Sequence, residues 1–165
     1  MASEYSVLLK LGGYVGSNPE ILNSFPILDM GVKESSELLG KSFPHGVKNG
    51  DYVEDKYGNH NIVSYIFKIK QENDRDDLFS FSILIGKRDK AEIYKPVLKE
   101  LMGLLDKMGL LTEGVLIKYQ KAIFEGINQE QNVEIEGQMI EFHSIFKEIK
   151  NQILKKKPEL KGSFL

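Results

Sequence analysis

Tyr5, Val7, Leu9 and Leu11 occupy every second position at the start of the chain, the period of a half-buried strand, and Gly12 and Gly13 end it. Gly16, Ser17, Asn18 and Pro19 form a turn cluster. Ile21, Leu22 and Phe25 then predict a short strand pairing back on the first, with Pro26 marking it as an edge. From Gly31 to Phe43 the period turns helical, with Val32, Leu38 and Leu39 on one face and Lys33, Glu34 and Glu37 toward water; Pro44 and Gly46 stop it. Asp51 to Lys70 reads as a hairpin about Gly58 and Asn59. Its second arm carries Val63, Tyr65, Phe67 and Ile69 on one face and Ile62 and Ile66 on the other, so a central strand covered from both sides is expected.

The run ENDRDD, Glu72 to Asp77, predicts a solvated connector, because five charges in six residues do not pack without partners. Leu78 to Ile85 follows as another long strand. Phe79, Phe81, Ile83 and Ile85 share one face, while Ser80 and Ser82 on the other leave room for a helix to approach closely. From Ile93 to Met108 apolar residues recur at three and four, and Gly109 stands where a left-handed cap would end that helix. Thr112 is the N-cap candidate for a further helix through Glu125, with Val115, Leu116, Tyr119, Ala122 and Ile123 apolar. Asn132 to Phe142 alternates weakly around Gly137, which favours a short hairpin over a helical start without deciding between them. Phe142, Ile145, Phe146, Ile149 and Ile153 define a last amphipathic helix. The tail from Lys155 through Lys157 to Phe164 and Leu165 reads as frayed and solvated, with an anionic membrane or a partner groove as its alternative.

Hairpin-joined strands imply an antiparallel sheet, and two separate helical blocks imply helices on both faces, an α-β-α sandwich of the α+β class. The 165 residues, 41% hydrophobic and 28% charged, suit one domain. Balance between 22 Lys and Arg and 24 Asp and Glu denies the broad positive field that duplex nucleic acid demands, so no nucleic acid is expected as partner. The absence of Cys excludes disulfides, thiolate metal sites and cysteine nucleophiles. No apolar run approaches the roughly 18 residues of a membrane span, and the opening MASEYSVLLKL has neither basic leader nor cleavage site. A soluble, cytoplasmic protein is expected, with membrane contact at most peripheral.

Motifs for chemistry are weak. Gly40, Lys41 and Ser42 resemble the end of a phosphate loop, but Ser35 stands where its opening Gly is required and a helix precedes it. Gly12, Gly13 and Gly16 read as turn residues, because Pro19 and the poor helical pattern after it deny a pyrophosphate its helix N-terminus. His45, His60 and His143 are scattered, with no pair at helical metal spacing, and each reads as a surface histidine. The carboxylates near Asp51, Glu54 and Asp55 lie in polar, turn-rich sequence rather than the burial a general acid needs. No catalytic, cofactor or metal residues are assigned.

The stretch GVKESSELLGKSFPHGVKNGDYVEDKYGNHNIVSYIF, Gly31 to Phe67, nevertheless resembles the longin-like domains of archaeal proteins related to eukaryotic trafficking and GTPase-regulating longins. The likeness lies in a helix, a link through Pro44 and Gly46, then Gly50-Asp51-Tyr52 and a strand reading SYIF; in element order it extends from Tyr5 to about Gly126. It implies a five-stranded antiparallel sheet with one helix on one face and two on the other, akin to profilin-like and roadblock folds. Residues 1–128 would be the longin-like domain, and 129–165 a C-terminal helical extension and basic tail in the same folded unit. It also implies a non-enzymatic adaptor that forms a homodimer or heterodimer, with another longin or roadblock protein or a Ras-like small GTPase as partner. The candidate contact residues are Lys33, Ser36, Glu37 and Lys41 on the first helix and Tyr52, Lys56 and Tyr57 on the hairpin edge, the tyrosines serving as rigid contact area. The rival expectation is a small-molecule sensor of PAS or GAF type, which also wraps helices around an antiparallel sheet.

Overall fold

The two longest strands lie side by side at the centre of the sheet. In the computed structural model, which describes residues 3–12, 18–29, 31–71 and 76–162, β1 (Ser3–Leu11), β2 (Glu20–Phe25), β3 (Tyr52–Tyr57), β4 (His60–Lys70) and β5 (Asp76–Gly86) form one antiparallel sheet in the order β2-β1-β5-β4-β3. The helices are α1 (Val32–Ser42), α2 (Ala91–Lys107), α3 (Glu113–Lys118), α4 (Gln120–Gln129) and α5 (Phe142–Gly162), with a small hairpin of β6 (Val133–Ile135) and β7 (Gln138–Ile140) before the last. The expected turn residues Gly13 and Gly16, the connector residues 72–75, and Phe164 and Leu165 of the tail lie outside the described residues.

The β4–β5 register sets Val63 opposite Ile83, Tyr65 opposite Phe81 and Phe67 opposite Phe79 on one face, and Ile62 opposite Leu84, Ser64 opposite Ser82 and Ile66 opposite Ser80 on the other. Both faces are covered, as the doubly apolar pattern requires. On the Phe79 face α2 buries Tyr94, Val97, Leu98, Leu101, Met102 and Leu105 over β4, and α4 lies over β1 and β2 through Ile123, Phe124 and Ile127. α5 packs against α2, and Phe142 and Phe146 join Ile135 and Ile140 in the same core. On the opposite face α1 sits over β3 and β4, with Leu38, Phe43, Val53, Ile62 and Leu84 in a separate, smaller cluster. The molecule is an α-β-α sandwich with α1 on one face, α2 and the broken helix α3–α4 on the other, and the C-terminal α5 over the thicker side. Each fully buried Phe or Leu contributes on the order of 1.5–3 kcal/mol.

Several local expectations hold. Gly109 has φ +72 after α2, and Thr112 caps α3, its Oγ1 accepting from the Val115 N–H at 3.1 Å. The weak alternation before α5 is a hairpin turning at Glu136 and Gly137, both at positive φ. Where Ser80 and Ser82 were expected to admit a helix, the Ser80 hydroxyl donates to the Ser42 carbonyl at 2.9 Å, at the last residue of α1. Gly126 is a second close approach: a Cβ there would stand 2.7 Å from the Phe142 ring and 2.8 Å from Val133.

Four expectations are corrected. Asp77 belongs to β5, not to a solvated connector, and is fully buried because Lys10 on neighbouring β1 brings its ammonium to 3.5 Å. The helix expected from Thr112 to Glu125 is two, broken at Tyr119 (φ −104, ψ 12), where the backbone leaves helical geometry. Val32 lies outside the apolar face of α1 and is 86% exposed. At 100° per residue it stands about a quarter turn from the Leu38 and Ser42 stripe, in the first turn, ahead of the buried part of the helix. The last helix runs on past Ile153 to Gly162 rather than giving way to a frayed tail.

Candidate functional site

The seam between α1 and β3 gathers three of the seven nominated residues, Lys41, Lys56 and Tyr57. Lys41, in the last turn of α1, sends its ammonium across to the Lys56 carbonyl at 2.5 Å and to Glu37 one turn back at 3.4 Å. A cation there also meets the negative end of the helix dipole. The Tyr57 hydroxyl donates to the Glu34 carbonyl at 3.3 Å. Burial, and then the carboxylates of Glu37 and Glu34, push the Tyr57 phenol above its ordinary pKa. These contacts fasten the helix to the edge strand. Outside the seam, Lys33, Ser36 and Glu37 form an exposed polar strip, with Ser36 one turn beyond Val32 and Glu37 one turn beyond Lys33.

Tyr52 stands elsewhere. Strand side chains alternate, and residues 52 and 57 are an odd number apart, so they occupy opposite faces of the sheet. Tyr52 is 41% exposed and packs against the Tyr65 ring at a centroid distance of 5.6 Å; burial, then Tyr65, raises its pKa. On the same side, Glu54 pairs with Lys95 of α2 at 2.6 Å. The Lys56 side chain is exposed there too, although its carbonyl meets Lys41. The outer edge of β3 is lined by Glu54, Asp55 and Lys56, charges of the sort that keep an open sheet edge from pairing indiscriminately.

The most exposed apolar side chains on this part of the surface are Ile27, in the loop before α1, and Val32, each 86% exposed. Ile27 was passed over because a lone apolar residue in a loop carries no periodicity, and Val32 because period alone does not show where a helix meets its sheet. A second polar arrangement joins distant segments. Gln120, buried at the start of α4, donates to the Ser6 carbonyl and hydroxyl at 3.2 and 3.1 Å and accepts from Asn23 at 3.0 Å, tying α4 to β1 and β2. At one end of β1, Lys10 bridges Asp77 and Glu113; its hydrogen bond to Glu113 and the two carboxylates raise its pKa against the opposing effect of burial. At the other end His60 pairs with Glu4 and meets the Tyr5 ring edge-on. Among the described residues no group of three or more His, Asp or Glu is placed to hold a metal ion, and no helix is long and apolar enough to cross a membrane.

The surface of α1 thus carries an exposed Val32 beside a mixed-charge strip, on a helix pinned to an edge strand, with Ile27 exposed in the loop before it. No family model matches the chain, and no curated protein matches it in sequence.

Proposed function

We propose that the chain is a longin-like, non-enzymatic interaction module, a dimerising adaptor or regulator of Ras-like small GTPases in a membrane-traffic-type process. The five-stranded antiparallel sheet, with one helix on one face and two on the other, agrees with the architecture the resemblance implies. The observation that carries the reading is the exposed surface of α1, where Val32, 86% exposed, leads into the polar strip Lys33, Ser36 and Glu37, with Ile27, also 86% exposed, in the loop before the helix. Apolar contacts rimmed by polar ones are the composition of a protein interface. Lys41 and Tyr57 act beneath it, holding α1 at the angle the surface requires.

The test is capture from native extract with the purified chain in GDP or a non-hydrolysable GTP analogue, beside light scattering of the chain alone. Recovery of a Ras-like GTPase, reduced by Val32→Asp or Tyr57→Phe, is the expected result. A monomeric mass with no protein recovered, together with a thermal shift on adding metabolites, would overturn the adaptor in favour of the sensor.

A further inference from the structure

On the thick side of the sandwich, facing away from the sheet, α2 and α5 enclose a groove of about 510 Å³. Its apolar lining comes from Leu104 of α2 and Met108 just past its end, Ile145 and Ile149 of α5, and Met139 of β7. Ile145 is nearly covered, while Met139 is 51% exposed. Three carboxylates, Glu100, Glu141 and Glu148, line the groove itself with one cation, Lys99, while Lys147 and Lys155 stand on the adjoining surface of α5. From Pro96 to Met108, the residue that caps α2, this wall of the groove runs about 18 Å, just over three helical turns. A trough of that length between two helices, with apolar residues one turn apart on each wall, matches the side-chain rows of a third helix.

We infer that this groove docks a basic amphipathic helix of a protein partner, its apolar side on Leu104, Met108, Met139 and Ile149 and its cationic flanks on Glu100, Glu141 and Glu148. The charge of the rim selects this occupant. A second copy in a two-fold arrangement would bring like carboxylates together, and an anionic membrane would meet three carboxylates. Two methionines suit a groove that receives another chain, since their unbranched thioethers adapt to the side chains set against them. The site lies across the sheet from the α1 surface and does not depend on the function proposed for it.

The test measures fluorescence anisotropy of the full chain with a labelled peptide of about 18 residues, Leu at helical period and Lys on both flanks. The reference peptides are the same design with Glu for Lys and a scramble that breaks the period. The Lys peptide is expected to bind at least about tenfold more tightly than either. A Glu100→Lys and Glu148→Lys double variant should weaken it about tenfold or more, while a Glu34→Lys and Glu37→Lys double variant on α1 should leave it unchanged. All four positions are exposed, and Met139→Lys supplies an independent block of the groove with the same expected loss. No binding of the Lys peptide at about 1 mM overturns the inference. So do equal binding of the scramble, equal loss from the α1 variant, or a homodimer that Met139→Lys dissociates.

Discussion

On one face of the sheet a single helix reaches the strands through Leu38 and Phe43, over a floor that includes the buried serines Ser64, Ser80 and Ser82. On the other, α2 and α4 lie on the strands, α5 lies on α2, and the filling is aromatic, with Phe79, Phe81, Phe142 and Phe146 all essentially without exposure. The contrast follows from side-chain size. Small hydroxyls on the thin side let the end of α1 come within hydrogen-bonding distance of β5, Ser80 to the Ser42 carbonyl, while Ser64 and Ser82 satisfy each other at 2.5 Å. Large rings on the thick side hold the helices off and fill the gap, with Tyr94 edge-on to Phe146 at 5.9 Å. The thick side therefore carries most of the burial. The thin side leaves the outer surface of α1 exposed at Val32, Lys33, Ser36 and Glu37.

The largest expected effect tests whether the C-terminal helix belongs to the thick side. Phe142, at the first residue of α5, is fully buried, and its ring fills the space that Gly126 leaves open. Phe142→Ala should lower unfolding free energy by about 3–5 kcal/mol in urea titration, from lost transfer energy and the cavity left behind. A cost below about 1 kcal/mol would make the segment after Gln129 an appendage.

A smaller effect separates the faces by pH. Burial, then the carboxylates of Asp89 and Glu130, push the Tyr94 phenol up to about 12, against an ordinary value near 10. Between those values the folded chain keeps a proton that the unfolded chain has lost, so stability falls as pH rises through the window. The Tyr94 contribution is full below pH 10 and lost on passing about 12, a change on the order of 2–3 kcal/mol. Tyr94→Phe should flatten that part of the alkaline unfolding profile. Tyr57→Phe, on the thin side, should leave most of it in place. Equal flattening by both would contradict the difference between the faces.

How much of this was legible depends on whether the signal is local. β4 was readable because apolar residues on both faces of a strand have one simple meaning, β5 because Phe79, Phe81, Ile83 and Ile85 alternate without a break, and α2 because its stripe continues over four turns. Asp77 was misread because its partner Lys10 lies in another strand, and charge density in a window of six carries no knowledge of that neighbour. Gln120 went unnoticed for the same reason, since its partner Ser6 is 114 residues away. The candidate site was half visible. α1 and β3 do meet through Lys41, Lys56 and Tyr57, yet Tyr52 was grouped with them although alternation alone places it on the other face. Val32 was apolar in a helical pattern, and whether such a residue covers the sheet or faces water depends on where the helix axis approaches, which is a property of packing.

That last residue supplies the smallest stability effect and the sharpest division between the faces. With 86% of its surface exposed, Val32 has already forgone most of the transfer energy that burial would give, so Val32→Ser should change unfolding free energy by no more than about 0.5 kcal/mol. Leu38→Ala, six residues along the same helix but fully buried, should cost about 2–5 kcal/mol. The two substitutions should exchange rank in binding: Val32→Ser, with Ile27→Ser beside it, should weaken partner capture while the free chain melts where the wild type does. A stability loss above about 1 kcal/mol from Val32→Ser would mean that this side chain is covered within the chain itself, and the thin face would then have no apolar contact to offer at the start of α1.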